Sequence, residues 1–324
     1  MDLVTPQDIE AAQHRIRTVA GPSAAVRTPL LPLIGIENRE IWVKPENLQP
    51  TGAFKIRGAL NAIAALPEPV RARGVVAYSS GNHARAVAHA AHAFGVPATV
   101  VVPHTAPAAK IAATRELGAE IVPVEAADRE STAKRITAER GATLVPPFDD
   151  LAVIAGQGTV GLEIAADLDV DVVVVPVSGG GLLSGVATAI RARRPAAKII
   201  GVEPELAADA RESLHAGRRV SWPVGLRTRT GADGLTAQPS ELTFRHLLER
   251  VDDIVTVSES EIDAAVGHLA RRARIVAERS GAVAVAACLH RELPPGRTVA
   301  VVSGGNIDAG DLASLLGRAV TSGG

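Results

Sequence analysis

The sequence is poor in aromatic residues, and its positive and negative charges almost cancel. Aromatic side chains make up 2% of the 324 residues, so the core must be built mainly from alanine, valine, leucine and isoleucine. With so few aromatics, a stacking platform for single-stranded nucleic acid is not expected. The 34 basic and 35 acidic residues nearly balance, whereas nucleic acid and charged membrane surfaces both need a basic face. The composition therefore argues against both kinds of partner.

The sequence also has only one cysteine, a polar start that is unlike a signal peptide, and no long apolar run. The single cysteine, Cys288, cannot form an internal disulfide, which fits a reducing compartment. Residues 1–15 are acidic and polar without an apolar centre, so they do not resemble a signal peptide. The longest aliphatic run, VVVVPV at 172–177, is too short to span a bilayer. We therefore expect a soluble, cytoplasmic protein with no membrane partner.

Strand-like and helix-like segments alternate along most of the chain. Aliphatic runs predict strands at 74–78, 98–103, 120–124, 142–145, 171–177, 198–203, 253–257 and 298–303. Helical patterns are predicted at 82–94, 107–117, 128–140, 152–168, 182–194, 259–274, 280–291 and 308–317. Continuous aliphatic runs are typical of parallel strands covered on both faces. The pattern therefore predicts an α/β protein with two open, mainly parallel sheets that carry helices on both faces.

The strands up to residue 145 lie in a compact block, which we predict to be a small domain of residues 70–147. Residues 1–69 and 148–324 are then expected to form one larger domain that the small domain interrupts. The least regular stretch, 215–240, is predicted to be a loop.

A lysine in the stretch QPTGAFKIRGA (49–59) is the first candidate catalytic residue. Lys55 follows Phe54 after a Pro-Thr-Gly turn and precedes a helical run. A lysine held beside an aromatic ring, away from bulk water, loses its proton more easily and can act as a nucleophile.

A glycine-rich loop, SGGGLLSG at 178–185, joins a predicted strand to a predicted helix. Glycines let backbone N–H groups converge, and a helix N-terminus adds partial positive charge, so this loop is typical of a phosphate cradle. One alternative is a nicotinamide-dependent oxidoreductase of the Rossmann type, with Gly179 and Gly181 in its G-x-G-x-x-G motif and Glu203 on the ribose. Ser184 replaces the third glycine, however, and this alternative gives Lys55 no role.

Two further turns, SSGN (79–82) and SGGN (303–306), follow predicted strands. Ligands bind at the carboxyl ends of strands in open sheets, so both turns are candidate parts of the same site. No G-x-S-x-G motif is present, which leaves a serine hydrolase unsupported.

These motifs occur together in one known family. ENLQPTGAFKIRGALNAI, SSGNHARAVA, VIAGQGTVGLEI, VPVSGGGLLSG, GADGL and SGGN, in this order, resemble the pyridoxal-phosphate enzymes of the tryptophan-synthase-β fold (fold type II). Within that family the sequence is similar to the serine/threonine dehydratase and serine racemase group. The resemblance implies pyridoxal 5′-phosphate as cofactor and β-elimination of water from L-threonine or L-serine. Serine racemase and 3-hydroxyaspartate dehydratase or racemase remain alternatives.

The resemblance also implies roles for individual residues. Lys55 would bind the cofactor aldehyde covalently and then remove the substrate α-proton. Phe54 and Gly234 would lie on the two faces of the ring, Asn82 would bond the ring hydroxyl, and Ser303 would face the pyridine nitrogen. The phosphate would be held around Ser178, Gly179, Gly180, Gly181 and Leu182, and the substrate carboxylate by Ser79, Ser80, Asn82 and His83. A hydroxyl at the ring nitrogen suits β-elimination better than transamination, because it does not stabilise a pyridinium.

Three finer expectations follow from the same resemblance. Ser80 matches the second acid/base of racemases, although PPFDDLAVIAGQGT is more similar to bacterial threonine dehydratases. Arg279 stands in AERSGA where the family usually has proline, and it is either solvated or favours a substrate with a second carboxylate. Glu203, Asp209 and the Ala207 carbonyl have the spacing of a Mg²⁺ or Ca²⁺ site in racemase-like members, or else form a solvated surface turn. We also expect a homodimer.

Overall fold

The structure is a computed structural model that describes residues 2–19, 21–34 and 39–321. The strands are β1 (Leu31–Pro32), β2 (Ile41–Pro45), β3 (Val75–Tyr78), β4 (Ala98–Pro103), β5 (Glu120–Val124), β6 (Thr143–Leu144), β7 (Val172–Pro176), β8 (Lys198–Pro204), β9 (Asp253–Val257) and β10 (Thr298–Val302). The helices are α1 (Pro6–Thr18), α2 (Lys55–Ala64), α3 (Glu68–Arg71), α4 (Asn82–Phe94), α5 (Ala108–Arg115), α6 (Arg129–Arg140), α7 (Leu151–Asp167), α8 (Gly181–Arg193), α9 (Asp209–Ala216), α10 (Val224–Arg227), α11 (Glu241–Arg250), α12 (Glu259–His268), α13 (Arg279–His290) and α14 (Ala309–Thr321).

The strands form two separate sheets. One has six strands in the order β1-β2-β10-β7-β8-β9, and the other has four in the order β5-β4-β3-β6. Neighbouring strands in the described part of the chain run parallel, except that β1 pairs with β2 in antiparallel fashion. The predicted α/β class with mainly parallel sheets is therefore confirmed. The domain boundaries after residues 69 and 147 stay a prediction.

Helices cover both faces of the six-stranded sheet, as strand β7 illustrates. Val172 and Val174 pack into a cluster with α12 and α13, whereas Val173 and Val175 pack into a second cluster with α7 and α8. Successive side chains of a strand point to opposite faces, so both faces must be apolar and the strand is aliphatic throughout. Within the described residues, no helix combines the length and the apolar character needed to cross a membrane.

Two predicted segments differ from the structure. The helix expected at 259–274 ends as an α-helix at His268 and continues as a π-helical turn, Leu269–Ala273, which Arg274 closes with a φ of 57°. The loop expected at 215–240 contains the short helix α10 and a 3₁₀ turn, Asp233–Leu235. Both differences are local and leave the order of the strands unchanged.

Candidate active site

A cavity of about 540 Å³ opens at the carboxyl ends of β3, β7 and β10, where residues from both sheets meet. Most of the site residues predicted from the sequence line it: Phe54, Lys55, Ser79, Asn82, His83, Ser178, Gly179, Gly180, Gly181, Leu182, Gly234 and Ser303. Ser80 belongs to the same turn as Ser79 but is not part of the lining, and Glu203, Ala207 and Asp209 lie outside the cavity. The fold thus joins turns that are far apart along the chain.

Lys55 is the first residue of α2 and is half-buried next to Phe54. Its Nζ lies 5.0 Å from the centroid of the Phe54 ring and donates a hydrogen bond to the Pro147 carbonyl oxygen at 2.6 Å. Desolvation lowers the pKa of Lys55 to about 8, and no described carboxylate offsets this loss of solvent. The neutral amine, which is the nucleophilic form, is therefore accessible near neutral pH.

The glycine loop shapes one end of the cavity. Gly180 has a φ of 88° and caps α8, which begins at Gly181. A Cβ on Gly179 would lie 2.3 Å from the Phe148 ring, and one on Gly180 would lie 2.9 Å from Thr243 Cβ, so neighbouring side chains occupy the space behind the loop. The first N–H groups of a helix have no acceptor within it, and here they border the cavity. This arrangement fits an anionic group such as a phosphate.

A second helix N-terminus borders the same cavity. Helix α4 begins at Asn82 after Gly81, whose N–H donates to Ser79 Oγ at 3.2 Å. The backbone N–H groups of the first turn of α4 likewise lack acceptors within the helix. The cavity therefore offers two separate places for anionic groups, and a phosphate and a substrate carboxylate would fill both.

His83 is buried, and its side chain does not offer a free donor. Its Nε2 bonds the Val145 carbonyl oxygen at 2.8 Å, while its Nδ1 has no partner among the described residues. Burial, reinforced by the charge of Lys55, lowers the pKa of His83 to about 3, so the ring is neutral. A carbonyl accepts only from an N–H, which places the proton on Nε2. The donor that His83 can offer to a carboxylate is therefore its backbone N–H.

Gly234 and Ser303 meet at Ser280, the second residue of α13. The Gly234 N–H donates to Ser280 Oγ at 2.9 Å, and a Cβ on Gly234 would lie only 3.0 Å from that oxygen. Ser303 is 5% exposed, and its hydroxyl makes a long bond of 3.4 Å to the Ser280 carbonyl oxygen. The close approach explains the glycine, and the weak bond leaves the Ser303 hydroxyl available to a ligand.

Other lining residues were not identified from the sequence, notably Tyr78, Pro147, Phe148 and Glu278. Glu278 is 9% exposed, and burial raises its pKa to about 7, with the nearby charge of Asp233 acting in the same direction. The sequence does carry one sign of Glu278: it lies in AERSGA (277–282), directly before Arg279, which stands where the family usually has proline. Pro147 and Phe148 stand in the segment PPFDD (146–150), whose local pattern gives no sign of a contact with Lys55 or with the glycine loop.

Arg279 does not line the cavity, so of its two alternatives, solvation and a contact with a second substrate carboxylate, the second has no support in the structure. Its Nε donates to Asp263 Oδ1 at 2.6 Å, and its stem packs near Gly231. Besides Lys55, the basic residues that line the cavity are Lys110, Arg129 and Arg227. Arg279 is therefore paired with Asp263 and does not face the cavity.

Glu203 and Asp209 form a buried acidic pair away from the cavity. Both are 1% exposed, so the expectation of a solvated surface turn is wrong. Glu203 accepts bonds from the N–H groups of Ala210 and Arg211 at 3.0 and 2.8 Å, yet burial and the Asp209 charge raise its pKa well above the ordinary value. Burial also raises the pKa of Asp209 to about 6, and its Oδ2 lacks a partner within the described residues. Two buried carboxyls with an unsatisfied oxygen fit a cation, whereas Glu203 does not line the cavity in which a ribose would have to bind.

A buried cluster of four charges anchors the helix that carries Lys55. Arg57 donates to Glu46 at 2.7 Å and to Glu163 at 2.8 Å, and Lys44 Nζ donates to Glu163 at 2.6 Å. These residues belong to α2, β2, the 3₁₀ turn after β2, and α7, and none is more than 5% exposed. Two positive and two negative charges cancel, so the cluster is compensated in spite of its burial.

Comparisons with known proteins agree with this geometry. A family model described as pyridoxal-phosphate dependent enzyme matches residues 23–304. L-threonine ammonia-lyase of Thermotoga maritima is 46% identical over 329 residues, which covers 99% of this chain and 80% of that protein. L-threo-3-hydroxyaspartate ammonia-lyase of Saccharomyces cerevisiae is 41% identical over 325 residues, 98% of this chain and 97% of that protein.

A solved structure extends the similarity to three dimensions. Maize serine racemase matches with a TM-score of 0.91 and 36% identity, over 99% of each chain. The family model covers most of the sequence, and the relatives are similar over nearly all of it. The half-buried lysine, the two helix N-termini and these similarities lead to one conclusion: the chain belongs to the family of pyridoxal-phosphate dependent enzymes.

Proposed function

We propose that the protein eliminates water from a hydroxy amino acid, L-threonine or L-serine, and yields a 2-oxo acid and ammonia. The observation that carries this proposal is Lys55, a lysine with a pKa near 8 in a cavity bordered by two helix N-termini. One anion site serves a phosphate and the other serves an amino-acid carboxylate. The lyase relatives in Thermotoga and yeast support the reaction type.

The lining residues fit pyridoxal 5′-phosphate. The start of α8 has N–H groups without acceptors in the helix, which match a phosphate. Lys55 is half-buried with no neighbouring carboxylate, which matches an aldehyde, and a Cβ on Gly234 would lie only 3.0 Å from Ser280 Oγ, which matches a flat ring against a glycine. The residues that would hold it are Ser178, Gly179, Gly180, Gly181 and Leu182 at the phosphate, Lys55 at the aldehyde, Phe54 and Gly234 at the ring faces, Asn82 at the ring hydroxyl and Ser303 at the ring nitrogen. When bound, this group withdraws electrons from the substrate α-carbon and acidifies its proton.

The protein then supplies orientation and proton transfer. The N-terminus of α4 would fix the substrate carboxylate, with N–H groups of Asn82 and His83 and the hydroxyl of Ser79 as donors. Lys55, as a neutral amine, accepts the α-proton. The Cα–H and Cβ–O bonds break, and the β-hydroxyl takes up one proton and leaves as water, which balances the α-proton that Lys55 accepts. The enamine that is released adds water and hydrolyses to the 2-oxo acid and ammonia.

A coupled assay of 2-oxo acid formation tests the proposal. We expect turnover of L-threonine and L-serine by the protein loaded with pyridoxal 5′-phosphate. Lys55→Ala should lose turnover by several orders of magnitude, because the attachment point and the base are removed together. A loaded wild-type protein that releases no 2-oxo acid from any hydroxy amino acid would contradict the proposal.

A second candidate substrate, L-threo-3-hydroxyaspartate, is favoured by the cations in the cavity. Lys110 is paired with Asp233 at 2.7 Å, whereas Arg129 uses its Nε for the Ala126 carbonyl at 2.9 Å. The terminal nitrogens of Arg129 make no hydrogen bond with the described residues, so they are available to a second carboxylate. Arg129→Leu should then lower kcat/KM for hydroxyaspartate at least ~10-fold more than for L-serine. An equal loss for both would remove this candidate.

Racemisation is a further activity to which the family resemblance assigns Ser80. The position of Ser80 outside the cavity lining gives it no contact with a substrate as the chain stands. If Ser80 is the second acid/base, Ser80→Ala should abolish D-serine formation and leave elimination from L-serine largely intact. Equal loss of both activities would show that Ser80 only positions the carboxylate.

A bound Mg²⁺ or Ca²⁺ is proposed at Glu203, Asp209 and the Ala207 carbonyl. The proposal is supported by burial of both carboxyls and by the unsatisfied Asp209 Oδ2. Hard divalent cations prefer oxygen ligands and complete their coordination with water.

Assembly and location are also proposals. The homodimer is proposed from the family resemblance, and light scattering tests it. The domain boundaries after residues 69 and 147 are proposed from the sequence pattern, and limited proteolysis tests them. The cytoplasm is supported by the single cysteine, Cys288, which is buried and has no partner for a disulfide in this chain.

A further inference from the structure

Asn82 has its amide orientation determined by two residues that the sequence motifs do not connect with it. Its Oδ1 accepts from Asn306 Nδ2 at 2.7 Å, and its Nδ2 donates to Glu278 Oε1 at 2.6 Å. An amide nitrogen carries two protons, so one N–H of Asn82 remains free. Asn82 lines the cavity, and that free N–H is the donor that an oxygen of a bound ligand would meet.

Asn306 itself can adopt only one orientation. Its Nδ2 also donates to the Thr51 carbonyl at 2.9 Å, and its Oδ1 accepts from Arg85 Nη1 at 2.6 Å. Exchanging oxygen and nitrogen would direct N–H groups at the Arg85 guanidinium and an oxygen at the Thr51 carbonyl, and both contacts would be repulsive. The orientation of Asn306 therefore determines the orientation of Asn82.

Two glycines make room for this network. A Cβ on Gly52, which has a φ of 75°, would lie 2.3 Å from Asn306 Oδ1. A Cβ on Gly304 would lie 2.1 Å from Glu278 Oε1 and 3.1 Å from Asn82 Nδ2. The glycines before Phe54 and after Ser303 are thus required by the packing of the side chains around Asn82, even though neither lines the cavity.

We infer that Asn306 and Glu278 are positioning residues that hold the Asn82 amide with an N–H toward the cavity. That N–H donates a hydrogen bond to an oxygen of the bound cofactor. The inference rests on the proposed function, since the oxygen is taken to be the ring hydroxyl of pyridoxal 5′-phosphate. Asn306 acts through Asn82 and does not touch the ligand, because it lies outside the cavity lining.

Asn306→Asp tests this most sharply. The new carboxylate keeps the shape and the Arg85 contact, but it cannot donate to Asn82 Oδ1. Asn82 Oδ1 would then face an acceptor, and turning the amide would bring that oxygen against Glu278 Oε1, so neither orientation is satisfied and the N–H toward the cavity is no longer held in place. Asn306→Ala serves as a second variant that removes the contact without adding charge. Asn61→Ala is the matched control, since Asn61 bonds Arg15 and Ala152 through its amide but lies outside the cavity.

The measurements are the Kd of the apo protein for pyridoxal 5′-phosphate and the visible absorption band of the loaded protein. Asn306→Asp and Asn306→Ala should weaken binding ~10-fold or more and shift the band, whereas Asn61→Ala should lower thermal stability and change neither. The double variant with Asn82→Ala should bind no more weakly than Asn82→Ala alone.

Wild-type affinity and an unshifted band in both Asn306 variants would overturn the inference, and so would fully additive losses in the double variant. A wild-type protein that does not bind pyridoxal 5′-phosphate would overturn the proposed function itself, which is a separate outcome.

Discussion

Lys55 and Lys44 are both shielded from water, yet their surroundings give them different chemistry. Lys44 is 0% exposed, and Glu163 lies 2.6 Å from its Nζ, so attraction opposes the cost of burial. Lys55 has a carbonyl oxygen and an aromatic ring as neighbours and no carboxylate. Desolvation therefore acts alone on Lys55 and lowers its pKa to about 8. Lys44 is structural because the Glu163 carboxylate compensates its charge, whereas Lys55 is reactive because no carboxylate lies beside it.

The pH dependence of cofactor attachment follows from this pKa. Only the neutral amine attacks an aldehyde, and a lowered pKa means that the neutral form becomes dominant above about pH 8 rather than above 10.5. The rate of attachment of pyridoxal 5′-phosphate to the apo protein should rise with pH and level off above about pH 8. Stopped-flow absorbance measures this rate. A rate that continues to rise toward pH 10 would show that Lys55 is solvated in the apo protein.

At the scale of elements, the β7–α8 connection depends on the fit of Phe148 against its glycines. A Cβ on Gly179 would lie 2.3 Å from the Phe148 ring, and one on Gly181 would lie 2.8 Å from Phe148 Cβ. Phe148 also follows Pro147, the residue whose carbonyl accepts from Lys55. A shift of this ring is therefore transmitted both to the start of α8 and to the lysine.

Gly179→Ala should consequently displace Phe148 and disturb the phosphate cradle. Overpacking of this kind costs about 1–3 kcal/mol of stability, and we expect the affinity for pyridoxal 5′-phosphate to fall ~10-fold or more. Gly225→Ala is the control, because no atom lies within 4 Å of the position of its Cβ. Equal affinities in the two variants, measured by titration of the apo proteins, would contradict the role given to Phe148.

The buried charge cluster joins β2, α2 and α7 and so holds the helix that begins with Lys55. Removing one carboxylate leaves positive charge uncompensated in the interior, which costs about 3–5 kcal/mol. Glu163→Ala should therefore lower the free energy of unfolding by about that amount, because Lys44 and Arg57 both lose their partner. Chemical denaturation measures the change.

A matched exposed pair provides the control for this prediction. Arg135 and Glu139 form an ion pair at 2.8 Å with side chains 59% and 55% exposed. Glu139→Ala should cost less than about 1 kcal/mol, as solvent screens such pairs. A Glu163→Ala variant as stable as Glu139→Ala would mean that the cluster contributes no stability.

At the scale of the whole molecule, local patterns predicted the regular elements better than the contacts between them. Strands 98–103, 120–124 and 253–257 and helix 82–94 were predicted with the observed bounds, and Gly95 closes that helix with a φ of 64°. Strands β1 and β2 were not predicted, since β1 has only two residues and β2, IWVKP, contains a lysine and a proline instead of a continuous aliphatic run. The contact of Lys55 with Pro147 joins positions 92 residues apart, and no local pattern encodes it. Glu278 was overlooked for the same reason.

A divalent cation would stabilise the folded chain as a whole. Burial raises the pKa of both Glu203 and Asp209, so a cation that neutralises them is expected to raise the thermal midpoint, and chelation to lower it. Removing the cation should lower the midpoint by about 2–4 °C for each kcal/mol of lost binding. Glu203→Ala should lack this response to Mg²⁺ or Ca²⁺. Indifference of the wild-type midpoint to chelator and to both cations would leave the acidic pair without a metal.

The most direct test of the account is the attachment of the cofactor to Lys55. The protein loaded with pyridoxal 5′-phosphate should absorb visible light, and reduction with borohydride should fix the cofactor to one peptide, which mass spectrometry identifies. The modified residue is expected to be Lys55, and the Lys55→Ala protein is expected to carry no such label. A protein that remains colourless after reconstitution, or a label on any other lysine, would contradict it.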